Sequence, residues 1–459
     1  MDEKTVSELI LRSWGTKEGV NPTADILAWI EERNRTLEVE IRKIPLSECA
    51  GWFYDPDSGT IRNKGGTFFS IAGLRRTDPS GTTEQPILLQ AEIGYLGILC
   101  KPIGGVLHFL MQAKIEPGNV NCIQLSPTIQ ATKSNFTQQH GGKKPAYLEW
   151  FLEAKPENIL VDQIQSEQSS RFLKKRNRNI IVMLSEEDEV DVLPSHKWMT
   201  LGQIKALMRR PNIVNMDTRT VLSCIPYALL KRPVACGDSP LLKSVFSDPD
   251  RSKIVSVYRT INDLKMFDES RAEIVDLLSL SSWNMDENGY SCVDPYPFRV
   301  VFCDIAIEGR EVRHWCQPLF EAMGKATFAL VYSDDGGKRE FLVKVTPEIG
   351  CFDVAELGPS FQREAVYNGG EDAVSAFVQD RIRTGAGVTF DNLLSEEGGR
   401  FYHEENRNLL IAVRKEDLPA LPAGYFWCDY ATLNALNTVN NVLNIQLRNL
   451  LSLLEIDYE

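Results

Sequence analysis

The chain repeats itself, and that repeat limits the fold more than any other feature. Gln85-Pro86 recurs as Gln317-Pro318, 232 residues later. The same spacing carries Gly104-Gly105 onto Gly336-Gly337, Phe109-Leu110 onto Phe341-Leu342, Glu116 onto Glu348 and Gly118 onto Gly350. It also carries Leu125 onto Leu357, Pro127 onto Pro359 and Gln130 onto Gln362. A short gap then sets the spacing to 229, taking Arg171-Phe172 onto Arg400-Phe401, Asn177-Arg178-Asn179 onto Asn406-Arg407-Asn408, Trp198 onto Trp427 and Arg219 onto Arg448. Upstream, Trp52 matches Trp283 at 231. An ordered series of matches with so little drift implies two diverged copies of one folding unit. Pro, Asp, Ser and Gly concentrate between Cys236 and Arg251, which places the boundary there. The two units are expected over 1–238 and 239–459, packed on each other because no low-complexity linker separates them.

Each copy reads as strands followed by helices. ADILAWIEERNR spaces Ile26, Leu27 and Ile30 for one helical face. Short apolar runs such as FFSIAGL, PILLQ and VLHFLMQAKI read as strands, and SDDGGK between ATFALVYS and REFLVKVT is a hairpin turn. RNRNIIVML and NRNLLIAV read as buried strands, and MTLGQIKALMRR and DYATLNALNTV as amphipathic helices. The expected class is α+β, mixed sheets flanked by helices. The stretch Ile93–Ala113 is long enough to span a bilayer, but Lys101, Pro102, Gly104, Gly105 and His108 interrupt it, so two strands and a turn are expected.

The formal net charge of -13 argues against nucleic acid and anionic membrane as partners. None of the ten cysteines forms a C-x-x-C pair, which suits reduced thiols used as small apolar side chains. The N-terminus MDEKTVSELI lacks a basic stretch followed by an apolar run, so a cytoplasmic protein is expected. No phosphate-binding loop, H-E-x-x-H or G-x-S-x-G is present, and no His/Cys/Asp spacing calls for a metal.

A duplication allows the copies to be compared with each other. Side chains kept in both should serve the fold, and polar ones found in a single copy are candidates for chemistry. The richest difference lies in 108–142. There His108 becomes Glu340, Lys114 becomes Thr346, Asn119 becomes Cys351, Asn121 becomes Asp353, Gln124 becomes Glu356 and Ser126 becomes Gly358. The following ATKSNFTQQHGG, with Lys133, Asn135 and His140, has no clear counterpart. Gln112, Lys114 and Glu116 share one strand face, and Gln124, Ser126, Thr128 and Gln130 alternate likewise. Solvated strand edges would give the same alternation. Arg171, Arg178 and Arg219 persist in both copies and read as framework salt bridges.

The string QAKIEPGNVNCIQLSPTIQATKSNF (112–136), the HGG at His140 and the paired tryptophans resemble the NDP-hexose 2,3-dehydratases of deoxysugar biosynthesis, across essentially the whole chain. The resemblance implies two Nudix-like modules from gene duplication, assembled as a homodimer, with the working pocket in the first and a vestigial one in the second. Neither copy carries the metal-binding REUxEE run of Nudix hydrolases. It implies dTDP-4-keto-6-deoxyglucose as substrate, a 3,4-diketo product that a 3-ketoreductase would consume, and no cofactor, because oxidation at carbon 3 is internal. Chemistry then suggests roles. Glu116 or His108 would be the base, and Lys114 the enolate-stabilising cation or proton donor. Asn119, Asn121, Gln124, Ser126, Thr128 and Gln130 would hold the sugar, and Lys133, Asn135 and His140 the diphosphate. A metal-dependent nucleotide-sugar hydrolase and a non-catalytic nucleotide-sugar-binding protein are the competing readings.

Overall fold

A computed structural model describes residues 3–66, 68–132, 144–227, 237–308, 312–367 and 369–456. It is a mixed α+β structure with the same seven-stranded sheet built twice. In the first half the order is Ile159–Ser166, Arg176–Met183, Gly94–Ile103, Val106–Ile115 and His196–Thr200, with short strands Ile123–Ser126 and Ile129–Ala131 added to the central hairpin. In the second half Val388–Ser395, Glu405–Ala412, Thr327–Ser333, Glu340–Pro347 and Tyr425–Asp429 follow the same order, with Ala355–Pro359 and Phe361–Arg363 as the added strands. Each sheet contains one parallel pair, Arg176–Met183 on Gly94–Ile103 and Glu405–Ala412 on Thr327–Ser333. The stretch that could have been taken for a membrane span is a hairpin, turned at Gly104 and Gly105 with φ of 58° and 75°. Two positive φ values in succession suit the right-handed twist of the flanking strands, and glycine adopts them without a Cβ clash. No helix among the described residues is long and apolar enough to cross a membrane.

The backbone repeats more faithfully than the side chains. Cys122 and Val354 both sit at left-handed φ, 62° and 61°; so do Lys174 and His403, at 54° and 51°, and Asn212 and Asn441, at 57° and 60°. For β-branched Val354 that region costs roughly 1–3 kcal/mol. The unit has therefore kept its turn geometry after the residues that favour it were lost.

The halves are interlocked rather than stacked. Each also builds a smaller, mainly antiparallel sheet, and each half lends an outer strand to the other's. Val39–Ile44 pairs with Phe298–Ile307, with Val39 opposite Ile307 and Ile44 opposite Phe302. Arg271–Val275 returns the exchange on Ser70–Asp78, with Arg271 opposite Thr77. Separating the halves would break two ladders and expose two sheet edges. The two shared glycines close the same junction. Gly118 N donates to Gly398 O at 2.7 Å, and Gly350 N to Ser169 O at 2.8 Å. A Cβ at Gly118 would lie 1.6 Å from Phe401 O, and one at Gly350 2.0 Å from Phe172 O, so neither position admits a side chain. The repeated arginines also cross over. Buried Arg219 donates to Ser395 O at 2.7 Å, and buried Arg448 donates to Ser166 O. A single apolar core runs through both sheets, from Ile98 and Phe109 to Leu330 and Phe341.

Candidate active site

The cavity of about 570 Å³ opens over the first-half sheet. Lys114, Glu116, Tyr95, Leu96 and Gln130 face it from that sheet, and Glu167, Lys175 and Asn177 from the adjoining turn and strand. Trp52 and Phe68 line one side. The second half supplies Trp315, His314, Glu397 and Arg400, carried on the strand His314–Ala322 and the turn before Phe401. The site is thus built at the seam that the exchanged strands hold shut.

Two positions apart on one strand line, Lys114 and Glu116 point the same way, and they meet. Lys114 Nζ lies 2.8 Å from Glu116 Oε1 and donates to Gln130 O at 3.1 Å. Both side chains are largely buried, 14% and 8% exposed, so this ion pair is shielded from solvent screening. The turn at Gly399 presses against the far oxygen, where an added Cβ would stand 3.6 Å from Glu116 Oε2.

Asp217 reaches the cavity from the first turn of helix Met216–Ser223. Asn215 already caps that helix, accepting from Thr218 N at 2.8 Å and donating to Gln130 Oε1 at 3.2 Å. Asp217 is 1% exposed, and neither carboxyl oxygen has a hydrogen-bond partner among the described residues. Burial above all, then repulsion from Glu167 and Glu397, holds its carboxyl well above the usual range. Burial also pushes Glu167 up to about 7, against the pull of Arg448 and Lys175 and a 2.7 Å bond from Asn177 Nδ2. Burial lowers Lys175 to about 8, and its ammonium donates to Glu92 O. Glu397 is raised by burial too, although Gly399 N donates to it at 2.8 Å. Carboxyls raised above their ordinary range beside a lysine–glutamate pair give the site both acid and base capacity.

Of the residues singled out from sequence, the structure brings Lys114, Glu116 and Gln130 to the cavity. His108 lies elsewhere. Six residues along a strand separate it from Lys114, roughly 20 Å, and its Nε2 accepts from Val20 N at 3.3 Å while Nδ1 meets Val106 O at 2.8 Å. Asn119 holds its own turn, donating to Cys122 O at 2.8 Å, and Asn121 donates to Asn212 O at 2.7 Å. Gln124 bonds Asn121 and accepts from Ser395 Oγ at 2.7 Å, a contact mirrored by Ser166 on Glu356. Ser126 faces Gln112 O at 3.4 Å. Thr128 bridges Leu99 N and Leu110 O, as Ser360 bridges Val331 N and Leu342 O. These six side chains satisfy backbone and junction groups, and the mirrored pairs mark a role in the fold. Lys133, Asn135 and His140 fall outside the described residues; the flanking Thr132 and Pro145 line the cavity.

Sequence reasoning missed Asp217, Lys175 and Glu397. Each had the signal already in use, because their counterparts are Gln446, Glu404 and Gln168. The comparison had been confined to 108–142.

The equivalent place in the second half carries different side chains. Thr346 stands for Lys114 and Gln446 for Asp217. Arg171, counterpart of Arg400, lies over Phe298 at 4.3 Å as Arg400 lies over Phe69 at 4.2 Å. Arg171 also grips Glu364 with two bonds of 3.1 and 3.0 Å, and Glu364 stands where the first half has Thr132. Burial and neighbouring Glu364 raise Glu348 to about 7.

Comparison with known proteins gives the family. A family profile described as NDP-hexose 2,3-dehydratase matches residues 23–225 and again 255–454, once on each half. A protein of Saccharopolyspora spinosa named dTDP-4-dehydro-6-deoxy-alpha-D-glucopyranose 2,3-dehydratase is 37% identical over 446 residues, covering 95% of this chain and 91% of its own. Proteins of the same name from Streptomyces violaceoruber and Amycolatopsis orientalis are 36% and 33% identical, covering 94% and 98% of this chain and 97% and 94% of their own. The chain belongs to the NDP-hexose 2,3-dehydratase family.

Proposed function

We propose that this member of the family removes the carbon-2 hydroxyl of dTDP-4-keto-6-deoxyglucose as water, giving dTDP-3,4-diketo-2,6-dideoxyglucose. The observation that carries the reading is the buried Lys114–Glu116 pair on the cavity floor, half of which is lost in the second copy. The carbon-4 ketone acidifies the hydrogen on carbon 3. Glu116 takes that proton, and the Lys114 ammonium faces the negative charge that builds on the carbon-4 oxygen. The enolate expels the carbon-2 hydroxyl, and the resulting enol becomes the carbon-3 ketone. Positioned acid–base groups supply ~10²–10⁴-fold in rate, and a donor at a developing oxyanion ~2.7–4 kcal/mol. The cavity volume suits a nucleotide sugar, and Trp52, Phe68 and Trp315 offer faces for the base. Lys133, Asn135 and His140 remain the assignment for the diphosphate.

The finer architecture belongs to the same proposal: two Nudix-like units, 1–238 carrying the chemistry and 239–459 diverged from it, in a cytoplasmic homodimer that hands its product to a 3-ketoreductase. One assay tests the function. The protein is incubated with dTDP-4-keto-6-deoxyglucose, with and without EDTA, and the diketone is trapped by a 3-ketoreductase and NADPH. EDTA-resistant loss of the carbon-2 hydroxyl is expected. EDTA-sensitive release of a nucleoside monophosphate would replace the reading with a hydrolase, and binding without turnover with a scaffold.

A further inference from the structure

We propose that Asp217 is the proton donor that carries the carbon-2 hydroxyl away as water; this assignment rests on the dehydratase reading above. An elimination needs two groups of opposite protonation, one to take the carbon-3 proton and one to protonate the leaving oxygen. Glu116, paired with Lys114, suits the first task. Asp217 is placed for the second. It lines the same cavity from a different element, it is 1% exposed, and both its oxygens lack a hydrogen-bond partner among the described residues. An acid on the cavity wall that has no hydrogen-bond partner among the described residues suits a ligand contact.

Its surroundings favour the protonated form. Burial is the largest influence, Glu167, Glu397 and Glu116 add to it, and Lys114 opposes them. A carboxyl in that company is raised above its ordinary range.

A structural role accounts poorly for the acid. Asn215 performs the helix capping. At the equivalent position of the second half stands Gln446, 4% exposed, whose Oε1 is also without a partner among the described residues. The fold therefore accepts a neutral amide at this place, where the first half carries a carboxylic acid.

The protons balance without a co-reactant. The carbon-3–hydrogen bond breaks and its proton goes to Glu116. The electron pair passes through the enolate to form the carbon-2–carbon-3 double bond, while the carbon-2–oxygen bond breaks. The departing oxygen takes the Asp217 proton and leaves as water. Tautomerisation then returns the carbon-3 hydroxyl proton to Asp217 and moves the Glu116 proton to carbon 2.

The test separates proton donation from the other steps. Asp217→Asn should lose ~10²–10⁴-fold in water elimination. It should still exchange the carbon-3 hydrogen with D₂O, because enolate formation does not need the donor. It should also release fluoride from the 2-deoxy-2-fluoro substrate within a few-fold of the parent rate, since fluoride leaves without protonation. Undiminished water elimination would overturn the assignment. So would equal loss of elimination, exchange and fluoride release in a variant whose melting temperature is unchanged. If Asp217→Asn folds poorly, Asp217→Gln copies the side chain that the second half already tolerates and is read by the same three measurements. A parent protein that eliminates nothing from either substrate refutes the dehydratase reading itself, an outcome distinct from a selective loss in the variant.

Discussion

The two halves share one frame and differ in the side chains at the place where the first lines its cavity. Both have the same sheet order, the same left-handed turns and the same arginine lying on a phenylalanine. The difference comes from few positions. Where the first has Thr132, the second has Glu364, and that carboxylate clasps Arg171. Where the first has Lys114 and Asp217, the second has Thr346 and Gln446. Even so, the second half is not idle: it supplies Trp315, Glu397 and Arg400 to the first pocket.

The largest test of that contrast is kinetic. Lys114→Ala should lower turnover by ~10²-fold or more, while Thr346→Lys in the second half should leave it unchanged. A fully active Lys114→Ala would break the assignment, and steady-state kinetics on the purified variants decides. Next come the paired glycines. Gly118→Ala and Gly350→Ala should each cost about 3 kcal/mol or more, because each new methyl meets a carbonyl of the other half. Thermal melts should show both losses; a neutral Gly350→Ala would mean that the second junction is looser than the first. Smaller still, Glu364→Thr should cost about 1–3 kcal/mol by stripping buried Arg171 of its best partner. Its turnover should equal the parent's, and a gain in nucleotide binding stoichiometry would sharpen the contrast between the halves.

The smallest effect concerns pH. Glu348, pushed up to about 7 by burial, binds its proton more tightly folded than unfolded. Its contribution is therefore complete on the acid side and is lost as pH rises from the ordinary 4.5 through about 7. Glu348→Gln should flatten that part of the profile, seen as a melting temperature that differs from the parent's by a few degrees at pH 8 and converges with it at pH 5. Parallel profiles would show that Glu348 is not the group responsible.

Much of this was legible before any coordinates. The steady spacing gave two units, apolar alternation gave the strands, and Gly104-Gly105 gave the hairpin. Lys114 and Glu116 were legible as a same-face pair because a strand alternates with period two. The same rule also nominated Gln124, Ser126 and Thr128, which instead hold the junction and the sheet. Alternation says that two side chains share a face; it does not say whether that face meets a cavity or the backbone of another strand.

The sequence by itself determined the duplication, the class of fold and which polar side chains differ between the copies. Those are properties of local pattern and of residue type. Only the tertiary structure decided that Val39–Ile44 and Arg271–Val275 change places, and that Asp217 stands beside a lysine about a hundred residues earlier in the chain. Strand exchange depends on which open sheet edges face each other once both cores have closed, and the protonation of a buried acid depends on what has been packed around it. Neither quantity exists until the chain is folded.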